Sequence, residues 1–295
     1  MTRYTGIYAF PESADAAERL ADRLGLPCFT AELHRFPDGE SLVRCPERVE
    51  RAILYRSLDN PNDKLIEIVL AASVLRREGA AELCLVAPYL AYMRQDAVFR
   101  PGEPVSQKVV GAWLAQHFDR IVCVEPHLHR TGQLDEVFPG RTTDALSAAP
   151  VLAERLGAWG VSPDTVVVGP DEESAPLIEA TAAGLGLSWT VAGKERRGDR
   201  DVTVTLPETA DLAGRPVVIL DDVVSSGETI LSCARAVAAR GGGPMRVIGV
   251  HALHAGDVAA RFAAAGIEAF ESCDGVPHAS NAIPLAPLLA AALKR

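Results

Sequence analysis

Residues 217–229, with the sequence VVILDDVVSSGET, decide the fold of this chain. Four apolar residues open the stretch and are typical of a buried strand in a parallel sheet. They run into the acidic pair Asp221 and Asp222, and a turn of two serines and a glycine follows at 225–227. Thr229 then opens an alanine-rich helix. The stretch therefore predicts a strand, a tight turn and a helix, the repeating unit of an α/β fold.

The chemistry of this turn points to a sugar phosphate. Backbone N–H groups at a helix N-terminus, with hydroxyl groups beside them, form a site for phosphate. The two carboxylates just upstream would repel that phosphate, so we expect them to hold sugar hydroxyls, or Mg²⁺ on the ligand. The stretch therefore predicts a binder of a phosphorylated ribose. The alternative is an ordinary strand, turn and helix with a capping serine, which needs neither adjacent aspartates nor paired hydroxyls.

The bulk composition is that of a globular protein long enough for two domains. The chain has 295 residues, of which 48% are hydrophobic and 23% charged. Its net charge of −10 argues against a nucleic-acid partner. No apolar run has membrane-spanning length, and the first residues lack the pattern of a signal peptide, so we expect a cytoplasmic protein without a membrane partner. The six cysteines are scattered without metal-ligand spacing, which predicts neither disulfides nor a zinc site.

Short apolar runs alternate with alanine-rich helical stretches along the whole chain. The runs are too hydrophobic to be half exposed, which indicates parallel sheets covered by helices on both faces. The predicted strands are 6–9, 52–55, 83–86, 121–124, 166–168, 190–192, 217–220 and 247–250. The predicted helices are 14–23, 64–77, 106–116, 151–158, 173–182, 230–240 and 258–264.

The chain contains an internal repeat. Residues 52–89 run from a strand through a polar loop, an alanine-rich helix and a glycine turn to a second strand, and residues 217–253 do the same. We infer two similar α/β domains, 1–144 and 145–295, because the turn-rich segment before the boundary gives way to a new helical pattern.

The two copies of the repeat differ at the acidic pair. Tyr55 and Arg56 stand where the second copy has its two adjacent aspartates. The first copy therefore keeps the architecture of the second without its acidic residues. We expect one sugar-phosphate loop per chain, which leaves the first domain free to bind another ligand.

Four polar clusters interrupt the apolar pattern, and each has an ordinary explanation beside a functional one. Residues 35–40, RFPDGE, contain Pro-Asp-Gly, which favours a surface turn. Residues 92–96, YMRQD, follow an apolar strand, where open α/β sheets bind ligands, with a solvated loop as the alternative. Residues 125–130, EPHLHR, also follow a strand, but His-x-His without a third ligand is a weak metal signal. Residues 169–174, GPDEES, place acids where a helix dipole favours them.

A fifth polar stretch, residues 194–201, has the sequence KERRGDRD and lies between two strand patterns. Most charge runs of this kind are solvated loops, and composition alone favours that interpretation here.

Together, the acid-pair stretch and these clusters resemble the ribose-phosphate diphosphokinase family, the synthetases of phosphoribosyl pyrophosphate (PRPP). Residues 217–229 resemble the PRPP loop of the type I phosphoribosyltransferase fold. RFPDGE resembles the family's Phe-Ser-Asp-Gly-Glu segment, and YMRQD resembles its Tyr-Ala-Arg-Gln-Asp stretch. The resemblance covers nearly the whole chain. It implies two tandem phosphoribosyltransferase-like domains, each a mostly parallel sheet flanked by helices.

The resemblance also implies an activity, a cofactor and an assembly. The family transfers the diphosphoryl group of ATP to O1 of ribose 5-phosphate with Mg²⁺, giving PRPP and AMP for nucleotide biosynthesis. In the family, the segment similar to RFPDGE reaches into a neighbouring subunit's site. Function therefore implies a homo-oligomer, built on dimers, with a shared ATP site.

Individual residues take their expected roles from the same resemblance. The residues expected to bind ATP are Phe36, Asp38, Glu40, Arg94, Gln95 and Asp96. The residues expected to bind ribose 5-phosphate are Asp221, Asp222, Ser225, Ser226, Gly227, Glu228 and Thr229. Glu228 is expected to contribute only its backbone N–H. His127 and Asp171 match metal positions of the family. Lys194 and Arg196 fit its Lys-x-Arg catalytic loop, in which mobile cations neutralise the reacting phosphates.

The chain departs from the family's pattern at several positions. Glu172 and Glu173 replace two glycines, Ser225 stands where one branch has an acidic residue, and that branch's allosteric phosphate site has no match here. The chain therefore resembles the shorter, less regulated members. One alternative is a diphosphokinase for a different pentose phosphate. Another is a non-catalytic regulatory relative that binds nucleotide or partner subunits, although Lys194 and Arg196 are both present.

Overall fold

The structure is a computed structural model that describes residues 2–128, 130–196, 202–254 and 256–295. For residues 194–196, 202 and 203 only the backbone is described. Contacts divide the chain into two units. The first unit is formed by residues up to 146 together with 275–277 and 285–295, and the second by residues 147–274 and 278–284.

The first unit is built on a six-stranded parallel sheet. The eight strands that the structure describes in this unit are β1 (Gly6–Ala9), β2 (Cys28–Thr30), β3 (Glu32–Arg35), β4 (Ser41–Arg44), β5 (Arg51–Tyr55), β6 (Glu82–Val86), β7 (Arg120–Val124) and β8 (Thr142–Leu146). Strands β3 and β4 form a separate antiparallel hairpin, and the others pair in the order β2-β1-β5-β6-β7-β8. The helices that follow β1, β5 and β6 are α1 (Ala14–Leu24), α2 (Pro61–Arg77) and α3 (Ser106–Leu114).

The second unit repeats this plan. Its strands are β9 (Val166–Gly169), β10 (Ser188–Val191), β11 (Gly193–Arg196), β12 (Val202–Thr205), β13 (Val217–Val224), β14 (Met245–Ala252), β15 (Ile267–Cys273) and β16 (Asn281–Ile283). Its helices are α4 (Ala149–Ala158), α5 (Ala175–Ala183), α6 (Glu228–Ala239) and α7 (Val258–Ala264). The sheet order is β10-β9-β13-β14-β15-β16, and β11 and β12 form an antiparallel hairpin. Each strand of the second unit therefore has its counterpart eight strands earlier in the chain, at the same position in the sheet or hairpin of the first unit. This correspondence confirms the predicted internal repeat and α/β fold.

The strands are apolar because both faces of each sheet are covered. Every residue of β1, β7 and β9 is buried, as expected for parallel strands between two layers of helices. Each fully buried large aliphatic or aromatic side chain contributes about 1.5–3 kcal/mol relative to exposure. Among the residues that the structure describes, no helix has the length and apolar character needed to cross a bilayer.

The last helix, α8 (Ala286–Leu293), belongs to the first unit although it follows β16. Five of its eight residues are buried, and it packs on α1. Arg120 Nη2 donates a hydrogen bond to the Ala292 carbonyl at 3.1 Å, and the Thr2 hydroxyl donates one to the Leu293 carbonyl at 2.7 Å. The sequence-based range 145–295 differs from the second unit here, because the buried face of α8 finds its partner in the first unit.

Helix α4 has the corresponding position in the second unit. It follows the last strand of the first unit, β8, but packs on α5 and β16. Helix α8 follows the last strand of the second unit and packs on α1 and β8. The two units thus have equivalent terminal helices, each of which follows the other unit's sheet along the chain.

Candidate active site

The acidic pair lies within strand β13 and not beyond its end. The sequence predicted a strand over 217–220, but β13 continues to Val224 because β14 supplies partners along its whole length. Asp221 pairs with Gly249 in this register. The Asp221 side chain is buried, and its Oδ1 accepts a hydrogen bond from the Asp222 N–H at 3.1 Å.

A third carboxylate approaches this pair from the neighbouring strand. Asp171 follows β9, which lies beside β13 in the sheet. Burial raises the pKa of Asp221 well above its usual value, and the carboxylates of Asp222 and Asp171 raise this pKa further. Asp171 also caps a short 3-10 turn, Glu172–Ser174, by accepting the Ser174 N–H at 3.3 Å. The second unit therefore gathers three carboxyl groups from two adjacent strands, two within β13 and one shortly after β9.

The turn after β13 is shaped by one glycine. Gly227 is the N-cap of α6 and has a φ of +77°, in the left-handed region that favours glycine. A Cβ at this position would lie 2.9 Å from Val258 Cγ1 and 3.0 Å from Phe262 Cε1. Ser225 and Ser226 are exposed before it. The turn therefore brings its backbone close to α7, while its two serines are exposed directly before the N-terminus of α6.

We expect Gly227→Ala to lower the free energy of unfolding by about 2–4 kcal/mol, because left-handed strain and crowding against α7 add together. The matched control is Gly214→Ala, where φ is +70° and no atom lies within 4 Å of the new Cβ. The control should lose only the conformational part, about 1–2 kcal/mol. Denaturant titration of both variants measures the difference. Equal losses would contradict the close packing of this turn on α7.

The turn is also held by an arginine that the sequence did not reveal. Arg261 Nη1 of α7 donates to the Ser226 carbonyl at 3.3 Å, and its Nη2 donates to the Glu228 carboxylate. The Glu228 N–H donates to the Ser226 hydroxyl at 3.4 Å. The Glu228 side chain thus contacts Arg261, and its expected contribution to ligand binding through the N–H alone stays a prediction. The only sequence signal for Arg261 is a basic residue in a predicted helix, which indicates no partner.

Lys194 and Arg196 lie on strand β11, and not in a loop. Their backbones pair with Val204 and Val202 of β12. Their side chains, and the connecting residues 197–201 of the predicted catalytic loop, lie outside what the structure describes. The described part of the predicted stretch, residues 194–196, therefore belongs to β11, and the pair β11–β12 corresponds to β3–β4 in the first unit.

In the first unit, RFPDGE forms the tip of the β3–β4 hairpin. The Phe36 N–H donates to the Glu40 carbonyl at 2.8 Å, and the Gly39 N–H donates to the Phe36 carbonyl at 2.9 Å. The predicted turn is therefore present, with Asp38 accepting the Glu40 N–H at 3.2 Å. The Phe36 side chain is 39% exposed, and its ring contacts the His34 ring edge-on at 4.8 Å. The hairpin thus presents an aromatic and two carboxylates at its tip.

Residues 92–96 and 125–130, the polar clusters that follow β6 and β7, contact each other beyond the carboxyl ends of these two strands. Arg94 is exposed, whereas the Gln95 amide donates to the Glu103 carboxylate at 3.2 Å. The Asp96 carboxylate is fully buried and accepts from Arg130 Nη1 at 3.0 Å, which joins the two clusters. His127 lies in the second cluster, residues 125–130, and is partly exposed. Residue 129 lies outside the described part of the chain.

Strained backbone conformations occur in the same region, beyond the carboxyl ends of the strands. Among the described residues, those with positive φ other than glycine are Asn60, Tyr92 and Glu125. They follow the three adjacent strands β5, β6 and β7. Such conformations cost about 1–3 kcal/mol each and cluster at functional sites. In the part of the chain that the structure describes, no three His, Cys, Asp or Glu side chains are arranged to hold a metal ion alone.

Known proteins resemble this chain along its whole length. A profile of the N-terminal domain of ribose phosphate pyrophosphokinase matches residues 5–117, and one of the phosphoribosyl transferase domain matches residues 151–281. The ribose-phosphate pyrophosphokinase of Methanopyrus kandleri is 32% identical over 98% of each chain. Ribose-phosphate pyrophosphokinase 2 of Archaeoglobus fulgidus is 32% identical over 95% of this chain and 97% of its own. The crystal structure of phosphoribosylpyrophosphate synthetase from Mycobacterium smegmatis superposes with a TM-score of 0.84 at 25% identity, covering 99% of this chain and 98% of that one.

Proposed function

The chain belongs to the ribose-phosphate pyrophosphokinase family, and on this premise we propose that it transfers the diphosphoryl group of ATP to O1 of ribose 5-phosphate. The products are PRPP and AMP. The observation that carries the proposal is the acid pair of β13, which leads into a Gly227 turn at the N-terminus of α6. This arrangement offers acceptors for sugar hydroxyls and donors for a phosphate within one continuous stretch.

The acceptor sugar is assigned to the second unit. We propose that Asp221 and Asp222 accept hydrogen bonds from the ribose hydroxyls. The 5-phosphate is bound by the turn and the first residues of α6, which are Ser225, Ser226, Gly227, Glu228 and Thr229. Arg261 supports this assignment, because it holds the Ser226 carbonyl and pairs with the Glu228 carboxylate that would otherwise repel the phosphate.

The negative charge of the second unit fits a Mg²⁺-dependent reaction. Asp221 is crowded by Asp222 and Asp171, and carboxylate oxygens are the ligands that Mg²⁺ prefers. We propose that His127 in the first unit and Asp171 in the second would each contribute to a separate Mg²⁺ position, as the family resemblance implies. When bound, Mg²⁺ supplies charge neutralisation to the transferring group.

The nucleotide is assigned to the clusters of the first unit. Phe36 would stack on the adenine, and Asp38, Glu40 and Gln95 would contact the nucleotide. Arg94 is exposed and suits bidentate pairing with a phosphate. Asp96 is already engaged with Arg130, so its contribution includes the positioning of that guanidinium.

A shared site between subunits is part of the proposal. The hairpin that carries Phe36 also exposes Leu33 and Leu42, at 37% and 46%. Exposed apolar side chains on the strands of a hairpin are expected where a partner covers them. We propose a homo-oligomer built on dimers, in which this hairpin contributes to the ATP site of a neighbouring subunit.

The chemical step needs charge placement and no covalent nucleophile on the protein. The O1 hydroxyl of the sugar attacks the β-phosphorus of ATP, and AMP leaves. Lys194 and Arg196 would neutralise the charge that develops on the transferring and leaving oxygens. Positioning of the two substrates supplies the remaining rate enhancement.

We expect Arg261→Ala to raise the KM for ribose 5-phosphate about tenfold, because the turn loses a charge-assisted contact and Glu228 keeps its charge beside the phosphate. The KM for ATP should not change. Arg235→Ala is the matched control, since Arg235 lies on α6 and its Nη2 donates to the Ser232 hydroxyl of the same helix at 2.9 Å. Steady-state kinetics with each substrate varied in turn measures both constants. A rise in both KM values would contradict a specific role at the phosphate turn.

The decisive assay combines ATP, Mg²⁺ and ribose 5-phosphate and follows AMP and PRPP. Without AMP release the proposal fails, and a non-catalytic relative that binds nucleotide becomes the better hypothesis. A panel of pentose phosphates tests the alternative acceptor suggested by the exposed pair Glu172 and Glu173. A clear preference for ribose 5-phosphate would exclude that alternative.

A further inference from the structure

The first unit contains a degenerate counterpart of the proposed sugar-phosphate site. We call this counterpart, residues Phe10, Tyr55 and Arg56, the relic site. The repeat places Tyr55 and Arg56 at the positions of Asp221 and Asp222. In the sheets, Gly6 pairs with Ala52 as Val167 pairs with Val218. Counting four residues on from Gly6 and from Val167 places Phe10 at the position of Asp171. All three acids of the second unit are therefore replaced, and the replacements of two of them, Asp171 and Asp222, are the aromatic Phe10 and the cationic Arg56.

These two replacements contact each other. The Arg56 guanidinium carbon lies 3.8 Å from the centre of the Phe10 ring, a close cation–π contact. The Arg56 side chain is 3% exposed. Where the second unit gathers carboxylates, the first unit therefore contains a buried cation of its own.

Two carboxylates balance this cation. Arg56 Nε donates to Glu12 Oε1 at 2.7 Å, and Arg56 Nη2 lies 2.7 Å from Glu67 Oε2. The Glu67 side chain is 7% exposed, so this pair has little access to water. A buried ion pair contributes little net stability compared with apolar packing, but it fixes the geometry of the groups that it joins.

Glu67 also contacts the β3–β4 hairpin directly. Its second oxygen, Oε1, accepts a hydrogen bond from the Ser41 hydroxyl at 2.7 Å. Ser41 directly follows Glu40 and pairs with Arg35 across the hairpin. One carboxylate thus connects the relic site to the residue beside the hairpin tip.

Most residues of the hairpin's two strands are exposed. All four residues of β3 are exposed, and in β4 Val43 alone is buried. A cavity of about 380 Å³ lies along its base, lined by residues of β3 and α2. Arg35 also pairs with Asp63, but both side chains are more than half exposed. Exposed pairs contribute at most about 1 kcal/mol, so the Glu67–Ser41 bond is the main polar anchor of the hairpin.

We propose that Arg56, Glu67 and Ser41 form a positioning link, in which the relic of the first unit's sugar-phosphate site orients the hairpin that binds ATP. The proposal rests on the assignment of Phe36, Asp38 and Glu40 to the nucleotide. Arg56, Glu67 and Ser41 are positioning residues, since they act through the hairpin tip and not on the substrate.

The main test is Ser41→Ala in the full-length protein. We expect the KM for ATP to rise about three- to tenfold, because a hydrogen bond to a charged group is lost. The KM for ribose 5-phosphate and the melting temperature should stay near those of the unsubstituted protein. Ser41→Thr keeps a hydroxyl and should restore the KM for ATP. Arg44→Ala is the control, since Arg44 lies on the same strand and pairs with Glu32 in solvent.

A second variant separates folding from positioning. Arg56→Met combined with Glu67→Leu replaces the buried pair by apolar side chains of similar size, which proteins often tolerate without loss of stability. We expect this double variant to fold and to show the same rise in the KM for ATP as Ser41→Ala. If it folds with an unchanged KM for ATP, the link is overturned.

Phe36→Ala distinguishes failure of this inference from failure of the proposed function. A raised KM for ATP in Phe36→Ala with an unchanged one in Ser41→Ala overturns the link alone. Unchanged values in both variants overturn the nucleotide role of the hairpin and the link with it. Equal increases in both substrates' KM values for Ser41→Ala indicate general loosening and also overturn the link.

Discussion

The Lys194→Ala variant is expected to turn over about a thousandfold more slowly, with little change in its affinity for ATP. The loss is large because phosphoryl transfer depends on positioning and on neutralising charge that develops in the transition state. A cation that acts on that charge contributes less to the ground state, so removing it lowers kcat much more than it weakens substrate binding.

This prediction is measured by pairing steady-state kcat with equilibrium binding of ATP. Binding has to be measured directly, because KM equals the dissociation constant only when chemistry is slow. The chain has four lysines, and Lys294 near its end is exposed, so Lys294→Ala is the matched control. Equal losses in kcat and in ATP affinity would contradict a role restricted to the transition state.

The Asp222→Ala variant is expected to bind ribose 5-phosphate at least about a hundredfold more weakly and ATP as before. A carboxylate that accepts two sugar hydroxyls makes two hydrogen bonds to a charged group, each worth about 1.5–3 kcal/mol. Asp222 is only partly buried on β13, so its replacement should leave the fold intact. Asp221 is less suitable for this test, because it is buried in the sheet and its carboxyl is crowded by two others.

Calorimetric titration with ribose 5-phosphate in the absence of nucleotide measures this loss directly. Asp211→Ala is the matched control, because the Asp211 side chain is 80% exposed and lies in the same unit. Asp222→Asn keeps the shape and part of the accepting capacity, so it should fall between the two. Unchanged binding of ribose 5-phosphate in Asp222→Ala would remove this residue from the sugar site.

The sequence predicted those parts of the site that are continuous in the chain. The acid pair, the serine turn and the start of α6 form one local unit of strand, turn and helix, whose signals lie within thirteen residues. The tip of the β3–β4 hairpin was predicted as a turn for the same reason, since Pro-Asp-Gly specifies its own backbone.

Elements without a local pattern were missed. Strand β3 has the sequence ELHR with every residue exposed, so no alternation of apolar residues indicates it. Strand β13 extends four residues beyond its predicted end, because hydrogen bonds from β14 determine its length. The contacts of Arg261 with the turn 33 and 35 residues earlier depend on the packing of α7, which spacing does not indicate.

The relic site was also predicted only in part from the sequence. The replacement of the acid pair by Tyr55 and Arg56 was visible in the repeat. The stacking of Arg56 on Phe10 was not, because the two residues directly follow separate strands, β5 and β1. Only the register of the sheets shows that Phe10 corresponds to Asp171.

The position of helix α8 has a consequence for the order in which the protein folds during synthesis. Domains generally fold as units as the chain emerges, the N-terminal one first. Here the first unit needs α8, whose residues 286–293 are made after all of the second unit up to residue 284. Until then the apolar surface of α1 that α8 covers has no partner from its own unit. The unit that is synthesised first is therefore the one completed last, and its closure waits for a contact between residues almost a full chain length apart.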